Sequence, residues 1–178
     1  MSPNADAERV PPVAYRTRVA FTGHRPELFA DPSAAQHAVD TAARELSSGH
    51  FLVGGQRGVD TWAAGAAITL GVPFTLILPL PVESFVENWS TDDRRALDRT
   101  LAKAADVQVV DLPDAAAAYR ERNRRLAIGA DMLVAVWTGT AGGGTSETLG
   151  FARFFGRPVR ELLLAPTGCA RLASGRGI

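Results

Sequence analysis

The chain has 178 residues, and its 19 basic and 19 acidic side chains give a formal net charge of zero at pH 7. This balance provides no overall attraction to nucleic acid or to an anionic membrane, so we expect neither as a partner. The single cysteine excludes an intramolecular disulfide and a cysteine-based zinc cluster. Without a long apolar run or a signal-peptide pattern, the sequence favours a cytoplasmic protein.

The two ends of the chain carry few large apolar side chains. Residues 1–16 contain several prolines, and residues 166–178 are mostly small or polar, so we expect a flexible amino-terminal arm and a flexible tail. The domain between them is expected to span residues 17–165. A chain of this length fits one domain with a substantial core.

Predicted strands and helices alternate through this domain. Apolar runs predict strands at residues 18–21, 51–53, 73–78, 107–110, 132–137 and 159–164. Asp31 before Pro32 is a typical helix start, and further helices are predicted at residues 59–70, 91–105, 115–129 and 144–156, with an irregular segment over residues 81–90. The alternation predicts an α/β fold, a single doubly wound Rossmann-like domain with a mostly parallel six-stranded sheet.

The most informative features are two glycine-rich loops that each follow a predicted strand, GGQRGVD at residues 54–60 and TGTAGGGTSE at residues 138–147. Such loops gather at the carboxyl edge of a parallel sheet, where ligands bind. Glycine permits close approach to a ligand, and a helix start offers free N–H groups to an anion. A flexible turn is the alternative explanation of the second loop. The residues predicted to bind a ligand there are Gly142, Gly143, Gly144 and Thr145.

The first loop is interpreted in the same way. Arg57 lies inside a glycine turn and is expected to bind an anion, although a solvated surface arginine is the alternative. Asp60 falls in the first turn of the next helix, where it either contacts a ligand or only complements the helix dipole. The residues of this loop predicted to bind a ligand are Gly54, Gly55, Gln56, Arg57, Gly58 and Asp60.

A third candidate segment, Gly23-His24-Arg25, follows the first predicted strand. If the strand order is 3-2-1-4-5-6, this loop borders the point where the order reverses and should line a crevice. His24 is a candidate for stacking or proton transfer, or is only an exposed loop residue. Arg25 is a candidate for neutralising a phosphate.

The helix at residues 115–129 supplies a fourth candidate. Most of its charged residues are typical of a solvated helix face. Asn123, however, falls on the apolar stripe of the helix, and an amide on a buried face needs hydrogen-bond partners from nearby backbone or from a ligand. Arg122 is its neighbour near the middle of the helix.

Four segments together resemble a known family: FTGHRP at residues 21–26, GGQRGVDTWAAGAA at 54–67, YRERNRRL at 119–126 and ADMLVAVWTGTAGGGTSET at 130–148. In this order they resemble the SLOG superfamily, whose members include the YspA and YpsA groups, the DNA-processing protein DprA and the LOG or "lysine decarboxylase-like" enzymes. The resemblance spans residues 17 to about 163. It implies a Rossmann-like sheet and a nucleotide-related ligand held by these loops.

The LOG enzymes are similar in a more detailed way. They cleave the N-glycosidic bond of a nucleoside monophosphate with an arginine and with the glutamate of a GGxGTxxE motif. Arg122 matches the arginine, and Gly144-Thr145 matches the glycine–threonine pair. The glutamate position falls on Thr148, and Glu147 is one residue early, about 100° around a helix.

The leading hypothesis is therefore a domain that binds or senses a nucleotide-derived phosphorylated small molecule. The alternative is a LOG-like phosphoribohydrolase acting on nucleoside 5′-monophosphates, with Arg122 and Glu147 as catalytic residues. Single-stranded DNA binding of the DprA kind is least favoured because the charge is balanced. We expect no cofactor and no metal, and the resemblance allows a homo-oligomer.

Overall fold

The computed structural model describes residues 16–168. Its strands are β1 (Arg18–Gly23), β2 (His50–Val53), β3 (Phe74–Leu78), β4 (Asp106–Val109), β5 (Met132–Trp137) and β6 (Val159–Leu163). Its helices are α1 (Pro32–Glu45), α2 (Val59–Leu70), α3 (Val82–Phe85), α4 (Thr91–Lys103), α5 (Ala115–Gly129) and α6 (Gly143–Phe154). Most of the predicted arm and tail lies outside the described residues. Within the described part of the tail, Pro166 forms a β-bridge with Phe29.

Local signals account for most helix boundaries. The Asp31 carboxylate accepts a hydrogen bond from the Ala34 amide at 3.0 Å, so the predicted cap of α1 is confirmed. Ser90 caps α4 in the same way, through the amide of Asp93. The segment at residues 81–90 was expected to be irregular, but it contains the single-turn helix α3, on which Phe85 is buried.

All six strands are parallel, in the order β4-β3-β2-β1-β5-β6. The fourth strand therefore pairs with the third, whereas the order 3-2-1-4-5-6 would have placed it beside the first. The chain builds the sheet outward from β1 to β4 and then returns to the other side of β1 through α5. The strand order still reverses beside β1, so the loops after β1 and β5 share one crevice.

Helices cover both faces of the sheet. On one face, α1, α2 and α4 pack over a core that includes Phe21, Phe51 and Phe74. On the other face, α5 and α6 pack over a smaller core around Leu52 and Leu133. No helix in residues 16–168 combines the length and apolar character that a membrane span requires.

Candidate anion-binding cleft

A cleft of about 1140 Å³ opens at the carboxyl edge of the sheet. It is bounded by the loop after β1, the start of α2, the first half of α5 and the start of α6, so all four sequence motifs contribute to it. The predicted site residues that line it are Gly23, His24, Arg25, Gln56, Asp60, Arg122, Asn123, Gly142, Gly143, Gly144, Thr145 and Glu147.

Arg57 does not line this cleft. Its Nη2 donates to Glu27 Oε1 at 3.0 Å, and its Nη1 lies 3.6 Å from Asp93 Oδ2. Arg57 and Asp93 line a second, smaller groove of about 510 Å³, which α1, α2 and α4 border, whereas Glu27 lines the cleft. Gly58 lies in the same groove. Arg57 thus stabilises the approach of two segments to each other instead of facing the cleft.

Gly54 and Gly55 are also outside the lining of the cleft, and packing explains both. A Cβ on Gly54 would lie 1.7 Å from Nη1 of Arg122, so only glycine lets this guanidinium reach the end of β2. A Cβ on Gly55 would lie 2.6 Å from the side chain of Leu78, and the residue has a φ of +76°. In the first glycine loop, Gly54 and Gly55 therefore serve packing, while Gln56 and Asp60 line the cleft.

The start of α6 presents unpaired amides to the cleft. The N-cap residue, Gly142, makes no side-chain capping bond and has a φ of +92°, and Gly143 follows with a φ of +78°. The Gly142 amide donates to Ser146 Oγ at 3.2 Å. Gly143 and Gly144 are exposed. A helix N-terminus without a cap, open to solvent and rich in glycine, is suited to bind an anion.

Arg122 brings a buried positive charge to the same cleft. Its Nη1 donates to the carbonyl oxygen of Gly54 at 2.9 Å and to Asp60 Oδ2 at 3.3 Å. Its Nε is buried and has no hydrogen-bond partner in the described part of the chain. Burial raises the pKa of Asp60, while the Arg122 charge opposes that rise. One side of the guanidinium is satisfied by protein, and a donor on the other side is not.

Asn123 on α5 and Glu147 on α6 also line the cleft and contact each other. Asn123 Nδ2 donates to Glu147 Oε2 at 2.8 Å, and Arg120 Nη1 lies 3.7 Å from Glu147 Oε1. Thr148, at the position of the LOG glutamate, is fully buried and donates to the carbonyl oxygen of Gly144. Glu147 is therefore the carboxylate that faces the cleft from this helix.

His24 joins two of the loops. Its Nε2 lies 3.1 Å from Thr138 Oγ1, and its Nδ1 lies 3.3 Å from Thr145 Oγ1. Partial burial lowers the pKa of His24, which favours the neutral imidazole near pH 7. Trp137 packs against the ring from outside the lining of the cleft, and its Nε1 donates to Glu161.

Sequence reasoning missed Arg120 and Thr138. Arg120 was assigned to the solvated face, yet it precedes Asn123 by three residues and so shares its side of α5. No comparable signal identifies Thr138, because its contact with His24 spans 114 residues of chain. Within residues 16–168, no group of three or more His, Cys, Asp and Glu residues could hold a metal ion.

No family model matches the chain, and no curated protein matches it. Several solved structures, however, match the chain in fold. DNA processing protein A (DprA) from Streptococcus pneumoniae matches with a TM-score of 0.63 and 19% identity over 82% of this chain and 50% of that one. DprA from Helicobacter pylori, whose structure concerns single-stranded DNA binding, matches with a TM-score of 0.62 and 18% identity over 83% of this chain and 65% of that one.

The molybdenum cofactor carrier protein from Chlamydomonas reinhardtii matches with a TM-score of 0.54 and 19% identity, over 82% of this chain and 76% of that one. At this level of identity the likeness concerns the fold alone, and it confirms the predicted α/β Rossmann-like domain with a parallel six-stranded sheet. The present chain spans half to two thirds of the length of the DprA structures.

One expectation from the sequence was wrong. Balanced charge led us to disfavour a nucleic-acid partner, but two of the matching structures are DprA proteins, and one of them concerns single-stranded DNA binding. Net charge averages over the whole surface, whereas a phosphate responds to charges within about a Debye length. Three arginines and four carboxylates line the cleft, so a net charge of zero does not report the attraction that a phosphate meets beside an individual arginine such as Arg25.

Proposed function

We propose that this domain binds a nucleotide-derived phosphorylated small molecule in the cleft, with a phosphate group at the start of α6. One observation carries the proposal: the uncapped amides of Gly143 and Gly144 face the same cleft as the buried guanidinium of Arg122, whose Nε lacks a partner. The two features come from segments distant in sequence. An anion bound there would accept hydrogen bonds from the amides and be attracted by the nearby Arg122 charge.

The other residues of the cleft suit the remainder of such a ligand. Arg25 is exposed and forms no ion pair in the described part of the chain, so it is free to meet a phosphate oxygen. Each charge-assisted hydrogen bond of this kind contributes about 1.5–3 kcal/mol. Glu147 can accept from ribose hydroxyls, and the Tyr119 ring lines the cleft where a base could stack.

Thermal unfolding in the presence of single ligands tests this proposal. AMP, ADP and ADP-ribose at millimolar concentration should raise the melting temperature, whereas adenosine, which lacks the phosphate, should not. A ligand at 100 times its Kd adds about 2.7 kcal/mol to the stability of the folded state. No shift with any phosphorylated compound, or an equal shift with adenosine, would contradict the proposal.

A second candidate function is hydrolysis of the N-glycosidic bond of a nucleoside 5′-monophosphate. It is favoured by the position of Glu147, which faces the cleft that Arg122 also lines. A carboxylate there would stabilise the oxocarbenium-like sugar that forms as the base departs. The test is release of free base from the monophosphates. Glu147→Gln should abolish the release, and Glu87→Gln, a control at an exposed site, should retain it; this result supports the enzyme. If concentrated protein releases no base, the hydrolase function is excluded.

The DprA neighbours make single-stranded DNA a further candidate ligand, since its backbone phosphates have the chemistry that the start of α6 binds. Retention of a short oligonucleotide should then fall steeply with added salt. Competition between AMP and the oligonucleotide would place both ligands in the same cleft. Salt-sensitive retention that AMP does not reduce would indicate a different surface.

A further inference from the structure

We propose that His24 is a positioning residue that directs the hydroxyl proton of Thr145 toward the bound anion. The inference rests on the proposed anion site and deepens it, since it assigns a role to His24, which the proposed function leaves without one. The feature that carries it is a continuous chain of hydrogen-bonding groups, made by Thr140, Thr138, His24 and Thr145.

This chain of hydrogen-bonding groups is defined by three contacts. Thr140 Oγ1 lies 2.9 Å from Thr138 Oγ1, and Thr138 Oγ1 lies 3.1 Å from Nε2 of His24. On the other side of the ring, Nδ1 of His24 lies 3.3 Å from Thr145 Oγ1. Thr145 lines the cleft beside the α6 amides, whereas Thr140 is exposed at the far end.

The imidazole is held in one place. The His24 amide donates to the carbonyl oxygen of Val136 at 3.2 Å, and its own carbonyl oxygen accepts from the Val59 amide at 3.3 Å. The ring centroid lies 5.9 Å from that of Phe29 and 6.1 Å from that of Trp137. With backbone and ring both fixed, each nitrogen faces one threonine.

Counting the available protons then shows which group donates in each of these hydrogen bonds. A neutral imidazole has one donor nitrogen and one acceptor nitrogen, and each threonine hydroxyl has one proton. If Thr145 donates to Nδ1, its proton is used and only lone pairs remain for the ligand. If Nδ1–H donates to Thr145, the Thr145 proton is available to an anion, and Nε2 accepts from Thr138. Anion binding therefore favours the Nδ1–H tautomer.

Two substitutions at His24 distinguish the contact made by Nδ1 from the contact made by Nε2. The amide of asparagine lies about where Nδ1 is, and the longer glutamine side chain places its amide about where Nε2 is. His24→Asn should therefore keep the donor to Thr145, whereas His24→Gln should keep only the contact with Thr138. A role in packing alone would not rank the variants in this order, because glutamine fills more of the ring's volume.

The experiment measures Kd for inorganic phosphate and for AMP by calorimetry, using the full chain. His24→Asn should bind within about threefold of the wild type, and His24→Gln about tenfold more weakly, because Thr145 then lacks the donor that directs its hydroxyl proton to the anion. The matched control is His37→Asn, at an exposed position of α1 outside the cleft, which should bind like the wild type.

¹⁵N NMR of the His24 ring in the wild-type protein provides a readout that does not depend on any variant folding. Nδ1 should carry the proton in the AMP complex. Binding by the wild type with the proton on Nε2, or equal affinity of the Asn and Gln variants, would overturn the inference while leaving the anion site intact. Absence of phosphate and AMP binding by the wild type would instead remove the site itself, and the inference with it.

Discussion

Nη1 of Arg122 lies 3.3 Å from Oδ2 of Asp60, and each side chain is only 7% exposed. The pair joins the middle of α5 to the first turn of α2 and fixes the back wall of the cleft. It also leaves Nε of Arg122 without a partner in the described part of the chain. The ion pair therefore orients a guanidinium whose hydrogen-bonding capacity is only partly used.

Removing the carboxylate of this pair should be costly. Asp60→Asn leaves a buried charge without compensation, and we expect a loss of about 3–5 kcal/mol in the free energy of unfolding. Urea denaturation measures it. The control is Glu27→Gln, which breaks the more exposed ion pair with Arg57 and should cost less than about 1 kcal/mol. Equal losses in the two variants would mean that the Arg122–Asp60 pair has no special structural role.

Two glycine-to-alanine substitutions should act in opposite directions. Gly54→Ala forces a methyl group against Nη1 of Arg122 and should cost about 1–3 kcal/mol. Gly150→Ala adds a methyl group in open space within α6 and should stabilise the protein by about 0.5–1 kcal/mol through helix propensity. Denaturant midpoints of the two variants provide the test. A neutral Gly54→Ala would show that Arg122 does not need to contact the end of β2.

Arg25 should contribute to ligand affinity without contributing to stability. Because it is exposed and forms no ion pair in residues 16–168, Arg25→Ala should leave the melting temperature of the free protein unchanged. It should weaken AMP binding about tenfold, as expected for one charge-assisted contact. Arg95→Ala, on the surface of α4 and outside the cleft, should bind AMP like the wild type. A normal AMP affinity for Arg25→Ala would remove this arginine from the site.

Stability should fall as the pH drops below the ordinary histidine pKa of 6.5. Burial lowers the pKa of both His24 and His50, and the charges of Arg18 and Arg16 add to the effect at His50. The unfolded chain then takes up protons that the folded chain does not, so acidification favours unfolding in this range. Urea titrations at pH 7.5 and 5.5 measure the difference, which His50→Gln should reduce. An unchanged pH dependence would contradict this assignment.

Sequence reasoning succeeded where the signal is local. The start of α1 follows from Asp31 and Pro32, and the glycine run at residues 142–144 marks the start of α6. The strand order was less predictable, because β4 pairs with β3 through long-range contacts that no local pattern records. Parallel strands also need crossovers, so adjacency in the chain does not fix adjacency in the sheet.

The limits of prediction are clearest for two of the arginines in the motifs, Arg57 and Arg122. Arg57 was expected in the site but pairs with Glu27, 30 residues away in sequence. Arg122 was recognised through the resemblance, yet its burial depends on Asp60, 62 residues away. Which carboxylate an arginine meets is decided by tertiary packing, so the neighbouring sequence does not tell whether an arginine serves structure or binding.

The most direct test of the central claim is an NMR titration of the full chain with AMP, following the backbone amides of Gly143, Gly144 and Thr145 together with the side-chain Nε–H of Arg122. The account predicts that all four signals shift with one common Kd, because they report the binding of the same phosphate. Signals that stay fixed while residues of the second groove respond, such as Arg44 or Arg99, would contradict it.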